Sequence, residues 1–184
     1  LFGITGDGET LGLYAVTLQD GSLADSWSYT AMSMDDCSLD YYQDSIFFVK
    51  TDETTGISSV YALDIASSLV TQITDGTSFR IHHQTGNMAV LNKDNVTNEA
   101  TTTQLKVMNL PTLSTWIVAE KSDIIDMCWD ASGESLICQS YLDGDITDAF
   151  QMGLSIYDNA AHTLREWGKT ISGTLAPSQE KNEV

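Results

Sequence analysis

The sequence predicts an all-β fold made of repeated units. A short apolar strand followed by a polar residue occurs four times, at intervals of about 46 residues, beginning at Leu13, Val60, Leu105 and Leu154. The 184 residues include 13 glycines and two prolines, a composition that suits many short strands joined by tight turns. A strand-only repeat of this length is typical of β-propeller blades. We therefore predict a β-propeller with four blades.

The blades follow one another along a single propeller domain or a segment of one. Each is expected to contain strands A to D, with A near the central axis and D at the rim. Inner strands are covered on both faces by neighbouring blades, so they can be apolar without strict alternation. The predicted limits are approximately 1–30 (completed by 170–184), 35–75, 77–120 and 122–168.

The second blade has the clearest pattern of strands and turns. The polar segment 52–56 separates strands B and C, and residues 66–68 turn strand C into strand D. Its strands are predicted at Cys37–Tyr41, Ser45–Val49, Ser59–Ile65 and Leu69–Thr74.

The third and fourth blades repeat this order. Pro111 marks a turn in the third blade, where a proline is acceptable because it lies outside an inner strand. In the fourth blade, Asp130–Glu134 turns strand A into strand B. The predicted strands are Ser78–His82, Met88–Leu91, Gln104–Leu110 and Ser114–Val118 in the third blade, and Ile124–Trp129, Ser135–Gln139, Leu154–Asp158 and His162–Trp167 in the fourth.

The first blade is incomplete. Leu1–Ile4, Leu13–Leu18 and Ala24–Tyr29 read as strands B, C and D, and strand A is missing. Residues 170–184 would supply the missing part if the chain closes on itself as a four-bladed propeller, which removes exposed sheet edges. Alternatively, the chain is part of a larger propeller of seven or eight blades. A join in the middle of strand B favours the larger propeller.

The composition is strongly acidic. The formal net charge is −18, from 26 Asp and Glu against eight Lys and Arg, which excludes nucleic acid and anionic lipid surfaces as partners. No apolar run approaches the roughly 20 residues of a membrane span, so membrane insertion is not expected. The low content of Lys and Arg and the abundance of Thr, Ser and Asp favour an extracytoplasmic or secreted protein, with a cytoplasmic location as the alternative.

The sequence contains no recognisable catalytic constellation. The Gly-x-Ser-x-Gly nucleophile motif and the common zinc motifs are absent from it. His82 and His83 are expected at a strand end and in a turn, with a structural role, and His162 has no catalytic arrangement around it in the sequence. We predict that the chain is not an enzyme.

An acidic segment of the fourth blade is a candidate calcium site. Asp143, Asp145 and Asp148 lie within six residues, and hard cations need several oxygen ligands close together. The twelve-residue calcium-loop pattern is absent, so a solvated turn is the competing interpretation. No other cofactor is predicted.

The loops between strands B and C form the candidate binding surface. In each blade these loops emerge at the same end of the sheet, so together they would make one acidic face for a protein or peptide partner. The residues that would contact the partner are Asp7, Glu9, Asp52, Glu53, Asp94, Glu99, Asp143 and Asp145. The remaining blades of a larger propeller or another subunit are further possible partners.

Cysteines and tryptophans leave two further alternatives. Cys128 and Cys138 flank one hairpin, and a register that places them opposite each other would allow a cross-strand disulfide; the alternative is two small buried thiols. Trp27, Trp116 and Trp167 fall on or near strand D, which predicts packing between blades, with exposure at the rim as the alternative.

The segment 123–137 resembles the repeat of WD40-like propellers of the TolB type, in which a Trp-Ser-Pro-Asp-Gly turn joins strands A and B. Trp129, Asp130, Ser132 and Gly133 occupy comparable places. The resemblance implies a propeller, and the function of a propeller lies in its loops. The missing catalytic signature and the unequal loop lengths favour a non-enzymatic scaffold for protein or peptide binding. The resemblance is also compatible with the gating propeller of a prolyl-oligopeptidase-type serine peptidase whose catalytic domain is separate. A sugar- or calcium-binding propeller is a third reading.

Overall fold

The computed structural model describes residues 2–6, 11–19, 22–31, 38–52, 54–93, 103–121, 124–141 and 151–171. They form fifteen β-strands, and no part of these ranges is helical. Accordingly, these ranges provide no long apolar helix that would cross a bilayer. The chain divides into two compact units, Leu1–Thr77 and Ser78–Val184.

The first unit contains two antiparallel sheets. One has three strands in the order β1-β2-β3 and the other has four in the order β4-β5-β6-β7. The three-stranded sheet agrees with the predicted strands B, C and D of the first blade. Residues 172–184, predicted to complete that blade, lie outside the described residues. The strands are β1 Phe2–Gly6, β2 Leu11–Gln19, β3 Ser22–Ala31, β4 Leu39–Tyr42, β5 Ser45–Thr51, β6 Ser58–Asp64 and β7 Val70–Asp75.

The second unit contains two four-stranded antiparallel sheets, each a meander in chain order. The predicted strands of this part of the chain are confirmed, with ends that differ by a few residues. The first sheet consists of β8 Ser78–His82, β9 Asn87–Lys93, β10 Thr103–Asn109 and β11 Ser114–Lys121. The second consists of β12 Ile124–Trp129, β13 Ser135–Tyr141, β14 Gln151–Asp158 and β15 Thr163–Ile171.

A capped turn explains the polar residue that ends strand C in three repeats. Asp64, Asn109 and Asp158 each accept hydrogen bonds through Oδ1 from backbone N–H groups of the following turn, at 2.7–3.2 Å. Short polar side chains stabilise turns in this way. The residue four positions later has φ between 53° and 57°; these residues are Ser68, Leu113 and His162.

The core of the second unit lies between its two sheets. Apolar side chains from β9 and β10 pack against those from β12, β13 and β14, and most are less than 2% exposed. Burial of this apolar surface is the main stabilising term for the pair of sheets. The cluster consists of Ala89, Leu91, Leu105, Val107, Ile124, Met127, Trp129, Leu136, Cys138 and Tyr157, with Trp116, Val118, Ala119 and Leu164 packed against it.

The register of the β12–β13 hairpin rules out the cross-strand disulfide. Cys128 pairs with Ile137, and Cys138 pairs with Met127, so the two cysteines lie on opposite faces of the sheet. Both are buried free thiols. The disulfide interpretation is therefore wrong, because the turn at 130–134 sets a register one residue away from the one it required.

The outer strand of each four-stranded sheet contains a β-bulge. The pairing of strands C and D skips one residue of strand D, opposite Val60/Tyr61, Leu105/Lys106 and Leu154/Ser155. A bulge increases the local twist and makes a sheet edge less suitable for pairing with another chain. The skipped residues are Ile73, Val118 and Trp167.

Candidate functional site

The two ends of each four-stranded sheet differ. At one end the short A–B and C–D turns are joined, because the residue after the end of strand C donates its N–H to a carbonyl of the A–B turn. These bonds are Ile65 to Asp44, Leu110 to Gly86 and Asn159 to Glu134, at 2.9–3.0 Å. The antiparallel order places the end of strand B and the start of strand C at the opposite end. That second end is the candidate functional site.

The B–C loop of the β4–β7 sheet is held by its own hydrogen bonds. Oδ1 of Asp52 accepts from the N–H groups of Thr54 and Thr55 and from the Thr55 hydroxyl, at 2.8–3.0 Å. The Asp52 N–H donates to the Ile57 carbonyl, and Gly56, with φ +71°, donates to the Asp52 carbonyl. This exposed loop therefore has a defined backbone shape.

The same hydrogen bonds act on the charge of the loop. Donation from the backbone N–H and hydroxyl of Thr55 and from the N–H of Thr54 lowers the pKa of Asp52. Hydrogen bonds to a carboxylate favour its charged form. Asp52 thus stays ionised to a lower pH than an ordinary aspartate, and the loop keeps its negative charge.

A polar network adjoins this loop. The Thr51 and Ser58 hydroxyls lie 2.8 Å apart. The Ser59 hydroxyl donates to Asp75 at 3.1 Å, and the Gln72 side-chain amide donates to both Ser59 and Asp75. Ser58 and Ser59 are buried, so their hydroxyls require such partners. The network fixes the ends of β6 and β7 next to the loop.

The other residues predicted at this end are outside the described part of the chain. These residues are the predicted calcium ligands Asp143, Asp145 and Asp148 and seven of the predicted partner-contact residues. The calcium site and the partner contacts at these positions remain untested predictions. The undescribed partner-contact residues are Asp7, Glu9, Glu53, Asp94, Glu99, Asp143 and Asp145. Among the residues that are described, no group of three or more His, Cys, Asp or Glu is placed to hold a metal ion.

His82 has a structural role, as predicted. Its Nδ1 is 2.9 Å from the Thr85 hydroxyl, and its Nε2 is 3.3 Å from the Ala131 carbonyl of the next sheet. A carbonyl is an acceptor, so this network assigns the proton to Nε2. The ring also packs on Gly133. His83 lies exposed in the turn between β8 and β9.

A cluster of three aromatic side chains joins the two sheets of the second unit, and the sequence did not predict it. The Trp116 indole N–H donates to the Tyr157 hydroxyl, which is 2.8 Å from Nδ1 of His162. Since the indole is donor only, the Tyr157 hydroxyl is the acceptor in its hydrogen bond with Trp116. Burial raises the pKa of Tyr157, which keeps the phenol neutral. The only sequence signal was the repeated position of tryptophan on strand D.

The predicted role of the strand D tryptophans is confirmed for one of them. Trp116 packs against the core between sheets, whereas Trp167 is 62% exposed. The side chain of Trp27 lies outside the described part. Arg80 on β8 forms a salt bridge of 3.2 Å with Asp126 on β12, the first strand of the next sheet. Burial also raises the pKa of the Cys128 thiol, which keeps it in the protonated form.

The sequence matches no protein-family model, and no curated protein matches it. Solved structures do resemble it. The β-propeller domain of the Trilobed protease from Pyrococcus furiosus, described as having an open velcro topology, has 14% identity and a TM-score of 0.54 over 74% of this chain and 44% of that one. TolB from Acinetobacter baumannii has 16% identity and a TM-score of 0.53, over 85% of this chain and 37% of that one.

A third solved structure extends the comparison. An acylaminoacyl peptidase from Pyrococcus horikoshii has 13% identity and a TM-score of 0.55, over 73% of this chain and 25% of that one. The chain has the fold of a TolB-type β-propeller. It spans 25–44% of the length of these three structures.

The TolB-type turn between β12 and β13 shows what its residues contribute. The Asp130 carboxylate accepts from the Ser132 hydroxyl at 3.0–3.1 Å and from the Ser135 N–H at 3.2 Å. The buried Trp129 indole donates to the Arg80 carbonyl of the preceding sheet at 3.0 Å. Gly133, with φ +72°, lies against His82. The turn therefore links two neighbouring sheets of the propeller.

Proposed function

We propose that the chain is a non-enzymatic β-propeller scaffold that binds a protein or peptide through the loops between strands B and C. One observation carries the proposal: each of these four segments contains at least two acidic residues and neither Lys nor Arg. The segments are 7–10, 52–57, 94–102 and 142–150. Acidic residues gathered at one end of the sheets attract a basic partner and set its orientation.

The described residues support a binding role over a catalytic one. His82 and His162, which a hydrolase would use as a base, are hydrogen bonded to Thr85 and to Tyr157. At the end of the sheets that carries the A–B and C–D turns, the polar side chains cap turns or join neighbouring sheets. Asp52, in contrast, is exposed in a loop of fixed shape. A loop with a fixed backbone loses little conformational entropy when a partner binds.

The experiment compares a lysine-rich peptide with a glutamate-rich peptide of the same length as probes. The chain should bind the basic peptide more tightly, and added salt should weaken this binding. Neutralising the B–C loops with Asp94→Asn, Glu99→Gln, Asp143→Asn and Asp145→Asn should also weaken it. A control variant, Glu134→Gln together with Glu166→Gln, removes charge from the A–B turn and from strand D and should bind like the parent. Equal binding of both peptides, or equal losses in both variants, would refute the proposal.

A second function is favoured by two of the similar structures. The Pyrococcus furiosus domain belongs to a protease, and the Pyrococcus horikoshii structure is a peptidase. In this alternative the chain is the gating propeller of a serine peptidase of the prolyl-oligopeptidase type, and a separate domain carries the catalytic triad. Labelling the natural polypeptide with a fluorophosphonate probe distinguishes the two functions. A labelled serine outside these 184 residues would favour the peptidase, and an unlabelled polypeptide would favour the scaffold.

A sugar- or calcium-binding propeller is the third candidate, based on Asp143, Asp145 and Asp148. Terbium luminescence tests the calcium site directly. A signal that Asp145→Asn abolishes and that excess calcium displaces would support it.

An extracytoplasmic location also stays a proposal, based on the composition, and fractionation of the source cells tests it.

A further inference from the structure

An exposed isoleucine lies at the base of the B–C loop that joins β5 to β6. Ile57 directly precedes β6, and its side chain is 56% exposed. The neighbouring loop positions, Asp52 and Thr54 to Gly56, carry polar residues and a glycine, as expected of a solvated turn. A single exposed apolar residue is common on protein surfaces, so the residues around Ile57 decide what it can do.

The register of the hairpin places Asp52 beside Ile57. Thr51 and Ser58 form the last pair of β5 with β6. One position further, the Asp52 N–H donates to the Ile57 carbonyl at 2.9 Å. Residues directly opposite each other in an antiparallel pair have their side chains on the same face of the sheet, with Cβ atoms about 5 Å apart. The carboxylate and the isoleucine are therefore immediate neighbours.

A second carboxylate lies on the other side of Ile57. Ser59 shares the face of Ile57, because it is two residues further along the chain, and it pairs with Asp75 on β7. The Ser59 hydroxyl donates to Asp75 at 3.1 Å, which confirms that these two side chains share the face. Neighbouring strands lie about 4.8 Å apart. Asp52 and the exposed Asp75 are therefore roughly 10–12 Å apart, with Ile57 at the start of the strand between them.

Each of these two carboxylates is held through one oxygen. Oδ1 of Asp52 accepts the hydrogen bonds of its own loop, and Oδ1 of Asp75 accepts those of the adjoining polar network. The second oxygen of each carboxylate can therefore accept from a cationic group while the bonds that position it stay intact. Ile57 is β-branched and has few side-chain rotamers. A partner that contacts these three residues thus meets a preformed surface, which limits the entropy lost on binding.

We propose that the Ile57 patch, formed by Asp52, Ile57 and Asp75, selects a partner segment in which a lysine or arginine is next to an aliphatic or aromatic residue. The cationic group pairs with a carboxylate, and the apolar side chain packs on Ile57. A polar basic segment would gain the charge pairing alone, whereas an uncharged apolar segment would desolvate both carboxylates without a counter-charge. The inference rests on the proposed function and adds the chemical class of the partner and a residue that determines specificity.

Two peptides of equal length and equal lysine content test this inference. In one peptide each lysine is followed by leucine, and in the other each lysine is followed by serine. The chain should bind the lysine–leucine peptide about fivefold more tightly, because the contact buries the exposed half of the Ile57 side chain. Ile57→Ser should remove this preference, so that it binds both peptides as the parent binds the lysine–serine peptide. Fluorescence anisotropy of labelled peptides measures the dissociation constants.

Ile65→Ser is the matched control. Ile65 is also an exposed isoleucine of this sheet, at 39%, but it follows the other end of β6, so this variant should keep the preference. Ile57→Leu should keep it as well, because an apolar side chain remains at the patch. Asp75→Asn retains a side-chain oxygen that can accept from Ser59, so it should weaken binding of both lysine peptides about threefold and leave the preference unchanged.

The possible results separate this inference from the proposed function. No preference for the lysine–leucine peptide in the parent, or a preference that survives Ile57→Ser, would overturn the inference alone. Loss of the preference in Ile65→Ser or in Ile57→Leu would also overturn it, because the effect would then not depend on an apolar side chain at the patch. If neither lysine peptide binds more tightly than a glutamate-rich peptide, the proposed function and this inference are both refuted.

Discussion

Gly133 and Gly56 form a matched pair that separates backbone strain from side-chain crowding. Both glycines have a positive φ, +72° and +71°. A Cβ at position 56 would meet no atom within 4 Å, whereas a Cβ at position 133 would lie 2.6 Å from Cε1 and 2.8 Å from Cγ of His82. Alanine at either position therefore has the same unfavourable φ, but only at position 133 must a buried ring also move.

The expected magnitudes follow from these two contributions. A non-glycine residue in the left-handed region costs about 1–2 kcal/mol, which applies to both Gly56→Ala and Gly133→Ala. Moving His82 also breaks its hydrogen bonds to Thr85 and Ala131, each worth about 1 kcal/mol. Gly133→Ala should thus lower the free energy of unfolding by about 3–4 kcal/mol, roughly 2 kcal/mol more than Gly56→Ala does.

Urea unfolding of both variants measures this difference. A double variant, His82→Ala with Gly133→Ala, tests the cause, because removing the ring removes the crowding. Its loss of stability should be smaller than the sum of the two single losses, with a coupling of about 1–2 kcal/mol. Equal losses for Gly56→Ala and Gly133→Ala, or additive losses in the double variant, would refute the packing argument.

Three further predictions concern the described contacts. Hydrogen bonds from the Ser67 hydroxyl and N–H lower the pKa of Asp64 below its ordinary value of 3.8. The ionised carboxylate therefore stabilises the fold above that pH, and this stabilisation is lost as the pH falls through the lowered pKa. The urea midpoint should fall more between about pH 5 and pH 2 in the parent than in Asp64→Asn. Trp116→Phe should lower the free energy of unfolding by about 1–3 kcal/mol, because it removes the donor to the buried Tyr157 hydroxyl. The double variant with Tyr157→Phe should lose less stability than the two single variants combined, which a double-mutant cycle in urea would detect. Cys128 and Cys138 should be alkylated after denaturation without reductant, and mass spectrometry that finds them linked would contradict the register.

The strands could be predicted well from the sequence because the residues that make the turns lie within each repeat. Asp64, Asn109 and Asp158 end strand C and cap the next turn, so the residues that mark the repeat also make the reversal. The strand predictions for the second unit differ from the structure mainly at the ends. Those ends depend on pairing with neighbouring strands, which a local pattern does not contain.

Register and contacts between sheets were harder to predict. The difference of one residue between the assumed and observed pairing of Cys128 moved it to the opposite face of the sheet from Cys138. The cluster of Trp116, Tyr157 and His162 joins side chains from two sheets, so no single repeat reveals it. Of the acidic residues predicted to contact a partner, Asp52 lies in the described part, and its Oδ1 organises its own loop.

Site-specific photo-crosslinking in the natural polypeptide tests the central claim most directly. A photoreactive amino acid is placed at Thr54, which is exposed in the B–C loop of β4–β7, or at Ala160, which is exposed in a C–D turn. We predict that Thr54 crosslinks to a protein or peptide partner in the source cells and that Ala160 does so much less. Equal crosslinking at both positions, or crosslinking at Ala160 alone, would contradict a function based on the B–C loops.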